Sequence, residues 1–126
     1  MPIRTLLRLW LPPLALMAVI FYLSAQPELS SGLGIVDLVG RKLVHVAEYA
    51  LLCGLWWRAL RPAAPSPVAL VASLAVSIAY AVSDEVHQSF VPGRTGTPID
   101  VAIDAAGAGL AAAIVRRRER RPVGLG

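Results

Sequence analysis

The residues best suited to chemistry lie in one short polar stretch, residues 84–94, and two further acids follow it. The stretch reads Asp-Glu-Val-His-Gln-Ser-Phe-Val-Pro-Gly-Arg, so it combines two carboxylates, an amide, an imidazole and a guanidinium. Carboxylates and imidazoles can act as general acids and bases, and a guanidinium binds a phosphate or carboxylate through two parallel hydrogen bonds. Apolar runs flank the stretch on both sides, and its charges therefore need partners wherever those runs are buried.

Three predicted helices each carry polar residues along one face. Residues spaced three or four apart lie on the same side of a helix, and all three faces become most polar at the same level of the chain's predicted bundle. In chain order, the three sets are Lys42, His45, Glu48 and Tyr49; Ser73, Ser77, Tyr80, Asp84 and Gln88; and Asp100, Asp104 and Gly107.

The simplest way to bury three polar faces is against each other, which predicts one shared, outward-opening polar site. The candidate catalytic acids and bases are His45, Glu48, Asp84, Glu85 and Asp104. The candidate substrate-binding residues are Lys42, Tyr49, Gln88, Arg94 and Asp100.

Each of these residues also has a purely structural interpretation. Asp100 can serve only as a favourable charge at a helix N-terminus, His45 can be a packed core histidine, and Asp84 with Glu85 can begin a solvated loop. Asp104 is harder to explain in this way, because it lies one turn deeper, where an unpaired carboxylate costs about 2.5 to 3.5 kcal/mol on insertion scales. We favour a site, since three helices would otherwise present acids and bases at one level by coincidence.

Composition places the chain in the membrane class. It is 56% hydrophobic and 16% charged, with a mean hydropathy of +0.64, whereas soluble domains are about 45–50% apolar and about 25% charged. The net charge of +4 does not indicate nucleic-acid binding, because five of the twelve basic residues cluster at positions 116–121, directly after an apolar segment. Such a cluster is typical of a topology anchor facing anionic lipid. The lone cysteine, Cys53, excludes an internal disulfide.

Four apolar segments predict an all-α integral membrane bundle with four transmembrane helices in a single domain, residues 1–126. Each segment has about 17 to 19 residues, near the minimum for a helix that crosses a bilayer. The predicted spans are residues 6–23, 43–60, 67–83 and 99–115. We expect a loop or short interfacial helix around residues 33–39 and a tight turn at residues 61–67.

The distribution of Lys and Arg predicts that both termini are cytoplasmic. Nine basic residues fall in the N-terminal flank, the second connection and the C-terminal tail, and only three fall in the other two connections. The polar site is then extracytoplasmic. The first segment also resembles a signal peptide, but Leu23 fits poorly at the third position before a cleavage site, where a small residue is usual. Removing the segment would also leave three spans, an odd number that does not match the distribution of charge.

Several separate motifs together cover nearly the whole chain. They are residues 21–27 (Phe-Tyr-Leu-Ser-Ala-Gln-Pro), Lys42-x-x-His45-x-x-Glu48-Tyr49, and Asp84-Glu85-x-x-Gln88-x-x-x-Pro92-Gly93-Arg94 with Asp100 and a glycine-bearing last span. In order and spacing these motifs resemble the VanZ-like family. The resemblance implies a small bacterial protein of the cytoplasmic membrane, and the family's namesake lowers susceptibility to the glycopeptide teicoplanin. This sequence has Asp104 where the family often has Asn, which adds a negative charge to the predicted site.

Three functions are compatible with this pattern. The first is a hydrolase or transferase acting on an envelope lipid or a lipid-linked wall precursor; the second is a protein that binds such a precursor or an anionic lipid head group. The third is a structural ion-pair network that locks the bundle or docks a partner. A metal site using His45, His87 and the acids is a further alternative, but the spacing contains no compact metal-ligand motif, so we predict neither metal nor other cofactor.

Overall fold

The computed structural model describes residues 2–25, 34–92 and 98–120. Within them the chain forms four α-helices joined, between the second and third, by a short 3-10 turn at Arg61–Ala63, and it contains no β-strand. This confirms the predicted all-α fold. The helices are α1, Ile3–Ser24; α2, Ile35–Leu60; α3, Ser66–Gln88; and α4, Pro98–Glu119.

Proline and glycine mark several of the helix boundaries. Pro67 lies in the first turn of α3 and Pro98 is the first residue of α4, positions where the missing N–H of proline costs nothing. Gly34 precedes α2 with a φ of 57°, a left-handed conformation that glycine adopts without steric strain.

All four helices extend beyond the predicted spans, and α2 and α3 do so by five residues or more at one end. The expected loop or interfacial helix around residues 33–39 is wrong for residues 35–39, because these continue directly into α2. In the same way α3 runs on to Gln88, so Asp84 and Glu85 lie on a helix rather than at the start of a loop. Hydropathy alone missed the extension of α3, because polar residues such as Asp84 and Gln88 can remain helical while they are buried against other helices.

Three helices, α1, α3 and α4, are long and apolar enough to cross a membrane. The chain is therefore a multi-pass membrane protein by helix length and composition. The longest helix, α2, has 26 residues, which at about 1.5 Å per residue gives about 39 Å, enough to cross a hydrocarbon core of about 30 Å. It lacks a stretch as apolar as those of the other three helices, and its crossing stays a prediction.

The helix α2 occupies the centre of the bundle. It packs against each of the other three helices, and most extensively against α4. A Cβ atom at Gly107 of α4 would collide with the backbone of Val46, so α2 and α4 approach at a point where only glycine fits. Because other helices cover much of α2, it needs fewer apolar residues for contact with lipid.

Side-chain contacts define two ends of this bundle. At one end Arg58 of α2 donates to the backbone oxygen of Arg8 in α1, and Ser66 of α3 donates to Glu119 of α4; we name this the arginine end. At the other end Ser24 closes α1 beside Asp84. We name this second end, where α1 and α3 finish and α4 begins, the acid end.

Candidate functional site

A buried cluster of three side chains joins α1 to α3 at the acid end. The Ser24 hydroxyl donates a short hydrogen bond to Oδ1 of Asp84. The Gln88 amide donates to Oδ2 of Asp84 over 3.1 Å and to the Ser24 oxygen over 3.3 Å. Asp84 is only 3% exposed, so these bonds hold its carboxylate in one orientation away from solvent. We refer to these residues as the Ser24–Asp84–Gln88 cluster.

The geometry of the cluster follows from helix periodicity. Asp84 and Gln88 are four residues apart and therefore lie on the same face of α3. The same face carries Ser73 and Ser77 deeper in the bundle, where each hydroxyl donates to a backbone oxygen of its own helix. The buried polar residues of α3 are thus members of the stripe that the sequence predicted, with Tyr80 partly buried beside them.

A second polar pair joins α2 to α4 at the same end. Nδ1 of His45 lies 3.0 Å from Oδ1 of Asp104. Asp104 is 2% exposed, whereas the His45 side chain is 24% exposed. The carboxylate is therefore enclosed by the bundle, while the imidazole that it holds reaches the boundary of the buried region. We refer to this as the His45–Asp104 pair.

Tyr49 lies in the core between these two groups. It is 0% exposed, it lies within electrostatic range of Asp84 and Asp104, and its ring centroid is 6.5 Å from that of Tyr80. The hydroxyl of Tyr80 donates to the backbone oxygen of Met17, but the hydroxyl of Tyr49 has no hydrogen-bond partner in the described part of the chain. Such a buried, unpaired group is uncommon and needs an explanation.

Lys42 and Asp100 form a looser contact nearer the surface. Their charged atoms are 3.9 Å apart and both side chains are partly exposed. Both precede the buried pair by about one turn, Lys42 before His45 on α2 and Asp100 before Asp104 on α4. The contact therefore lies at the rim of the acid end, and at such exposure an ion pair contributes about 0 to 1 kcal/mol.

The structure places the remaining candidates less centrally. Glu48 is partly buried and lies within electrostatic range of His45. Glu85 is partly buried on α3, next to Asp84 in sequence but on a different side of the helix. Arg94 lies outside the described residues. The acid end thus brings together eight of the ten candidates, namely Lys42, His45, Glu48, Tyr49, Asp84, Gln88, Asp100 and Asp104.

Sequence reasoning missed Ser24 as a member of the site. Its signal was weak: it is a single hydroxyl at the end of an apolar helix, and only its contact with Asp84 gives it a role. His87 was considered only as a metal ligand, yet its ring stacks on Phe21 at a centroid distance of 4.3 Å. In the described ranges no group of three His, Cys, Asp or Glu side chains is placed to hold a metal ion.

The fold and this site define a helical, multi-pass membrane protein that encloses two carboxylates and a histidine at one end of its bundle. The model of the VanZ/LLP1 family matches residues 9–118, which include every residue of the acid end named above. The chain belongs to the VanZ/LLP1 family. Comparison with curated proteins gave no match, and comparison with solved structures gave none.

Proposed function

We propose that this protein is an enzyme of the bacterial cytoplasmic membrane that uses the His45–Asp104 pair as an acid–base dyad. Its substrate is an amphiphile of the envelope, either a lipid or a lipid-linked wall precursor, whose polar head meets the acid end on the extracytoplasmic side. The observation that carries the proposal is the 3.0 Å contact between a buried carboxylate and a partly exposed imidazole.

The dyad has a defined chemistry if Asp104 is ionised. A carboxylate only accepts hydrogen bonds, so Nδ1 of His45 then carries the proton and Nε2 is the basic nitrogen. Nε2 can take a proton from water or from an acceptor hydroxyl as that oxygen attacks a phosphate or glycosidic centre. The same proton then passes to the oxygen of the leaving group, and Asp104 stabilises the imidazolium in between.

The other residues support binding and orientation in this scheme. Lys42, and Arg94 beyond the described residues, would hold a phosphate or carboxylate of the substrate. Asp84, fixed by Ser24 and Gln88, supplies a second enclosed carboxylate. Glu48 is a further acid at the acid end, and Glu85 lies beside the site on a different side of α3.

The test compares envelope lipids and wall precursors by mass spectrometry in cells that express wild type, Asp104→Asn or His45→Gln at equal levels. We expect a lipid species that changes with the wild type and not with either variant, and its mass difference would identify the reaction. Glu119→Gln is the matched control, because it neutralises a carboxylate at the arginine end and should behave as wild type. Identical lipid profiles for wild type and both variants would contradict the proposal.

Binding without turnover is the second candidate function, and the Lys42–Asp100 contact favours it. At 3.9 Å between partly exposed groups, this pair can open and offer the ammonium to an anionic head group at little cost. In that case the purified wild type and Asp104→Asn would carry the same lipid while the cellular lipid profile stays constant. Lys42→Gln should then lose the lipid.

A wall precursor as the substrate or ligand would have a consequence for drug susceptibility. Glycopeptides act on such precursors, so expression of the wild type should change the susceptibility of cells to teicoplanin. The change should disappear with His45→Gln if the protein is an enzyme, and with Lys42→Gln if it is a binding protein. An unchanged susceptibility would favour another envelope lipid.

A further inference from the structure

The arginine end carries a concentration of positive charge that the acid–base site does not use. Among the described residues it contains eight exposed arginines and one acid, Glu119, which accepts a hydrogen bond from Ser66. None of these arginines forms an ion pair with an acid in the described part of the chain. They are Arg4, Arg8, Arg58, Arg61, Arg116, Arg117, Arg118 and Arg120.

Three of these arginines lie on neighbouring segments, Arg8 on α1, Arg58 near the end of α2 and Arg61 directly after it. Nη1 of Arg58 donates to the backbone oxygen of Arg8 over 3.4 Å, which brings residues of like charge from two helices to one place. One turn further along, the guanidinium of Arg61 lies over the ring of Trp57 at 4.9 Å. Trp57 in turn donates to Ser66 at the start of α3 over 3.3 Å, so the ring that supports Arg61 is itself fixed.

Like charges on neighbouring segments repel each other, and an anion between them offsets this repulsion. An arginine has five N–H donors, and the contact of Arg58 with a backbone oxygen uses only one nitrogen of its guanidinium. A phosphate is the anion whose geometry matches several guanidinium forks at once. The remaining donors of these arginines are therefore suited to an anion of this kind.

We propose that Arg8, Arg58 and Arg61 form a binding site for the phosphate of an anionic phospholipid in the leaflet that borders the arginine end. A lipid is favoured over a soluble phosphate because all three residues lie at the ends of membrane helices. Trp57 beside them is an aromatic residue of the kind that settles at head-group depth. The acyl chains of such a lipid would lie along the apolar surface where α1 meets α2.

This site differs from the arginine cluster of α4 at positions 116–118 and 120. Those four arginines follow one another along a single exposed helix end, where they attract anionic lipid as a diffuse charge. The three arginines of the proposed site come from α1, α2 and the turn after α2, and a hydrogen bond and a ring contact position the guanidinium groups of Arg58 and Arg61. Their recognition of a head group should depend on guanidinium geometry as well as on charge.

The test measures the binding of phosphatidylglycerol and phosphatidylcholine to the purified full-length protein by native mass spectrometry. We expect Arg58→Gln together with Arg61→Gln to weaken the binding of phosphatidylglycerol roughly ten-fold or more, since this variant removes two guanidinium forks that donate charge-assisted hydrogen bonds to the phosphate. Arg117→Gln together with Arg118→Gln removes the same charge from α4 and should weaken it far less. If both double variants lost the same binding of phosphatidylglycerol, the proposal would be overturned in favour of diffuse electrostatic attraction.

Two further measurements keep the result interpretable. The double variant Arg58→Lys with Arg61→Lys retains the charge and removes the guanidinium forks, so it should also weaken lipid binding. If the double glutamine variant does not fold, this lysine variant takes its place in the test. Inorganic phosphate at millimolar concentration should not displace the lipid. Displacement by phosphate alone, or equal binding of phosphatidylcholine, would show that the residues do not recognise an anionic lipid.

Discussion

The hydroxyl of Tyr49 is one of three buried side-chain polar atoms with no hydrogen-bond partner among the described residues. A hydroxyl buried without a partner destabilises a fold by about 1–3 kcal/mol relative to one that is paired, yet this one lies within electrostatic range of two enclosed carboxylates. A polar atom of a bound substrate would pair with it. We therefore expect the unpaired hydroxyl of Tyr49 to contribute to binding at the acid end.

Replacing Tyr49 by Phe separates this interpretation from a packing role. Because Tyr49→Phe removes an unpaired hydroxyl and little else, the free energy of unfolding in detergent should stay constant or rise by about 1 kcal/mol. The lipid conversion or lipid binding that depends on the acid end should nevertheless be lost. Unfolding titrations and the mass-spectrometric comparison of lipids measure the two effects on the same preparations.

Tyr80→Phe is the matched control for that experiment. Its hydroxyl has a partner, the backbone oxygen of Met17, so its removal should lower the free energy of unfolding by about 0.5–1.5 kcal/mol. A Tyr49→Phe variant that is less stable than Tyr80→Phe, but fully active, would mean that the Tyr49 hydroxyl has a structural partner and no role in binding.

At the scale of the helices, the position of the site depends on how closely α2 and α4 approach. These two helices supply both members of the His45–Asp104 pair, and Gly107 lies three residues beyond Asp104 on α4. Its lack of a side chain lets the backbone of Val46, the neighbour of His45, come into contact. The glycine therefore sets the distance across which the pair forms.

The same substitution, glycine to alanine, at two positions of α4 tests this role of Gly107. A methyl group at Gly107 would collide with Val46, whereas nothing lies within 4 Å of the corresponding position at Gly109. We expect Gly107→Ala to lower the free energy of unfolding by about 1–3 kcal/mol. Gly109→Ala should be neutral or stabilising by up to about 1 kcal/mol, because alanine favours a helix. Equal stabilities in detergent would show that α2 and α4 can separate without cost.

At the scale of the whole molecule, charge is strongly polarised along the bundle. The arginine end holds eight of the ten described Lys and Arg residues. The other half of the bundle, which contains the acid end, holds six of the seven described Asp and Glu residues. The positive-inside rule therefore predicts that the arginine end faces the cytoplasm. This orientation also requires α2 to cross the membrane, since its two ends lie at opposite ends of the bundle.

Cysteine labelling tests the orientation and the crossing of α2 together. In a Cys53→Ala background, a membrane-impermeant maleimide should label Ile35→Cys and Ser89→Cys in intact cells, because both lie at the acid end. Ala63→Cys, in the turn after α2, should react only after the membrane is permeabilised. Labelling of Ile35→Cys and Ala63→Cys from the same side would mean that α2 does not cross.

The sequence by itself determined the family, the helical class and the faces on which the polar residues lie. These properties are local: apolar length predicts a helix that can span a membrane, and spacing of three or four residues assigns Asp84 and Gln88, or Asp100 and Asp104, to one face. The motifs that resemble the VanZ-like family are likewise local strings, and the family match over residues 9–118 confirms them.

Only the tertiary structure decided which polar residues pair with which. Spacing fixes the face and the depth of a side chain, but not the rotation of its helix or the identity of its neighbour. For that reason the sequence treated Asp84, His45 and Asp104 as one group, whereas packing divides them between the Ser24–Asp84–Gln88 cluster and the His45–Asp104 pair. Ser24 entered the site only through this packing, since a lone serine at a helix end carries no signal until its partner is known.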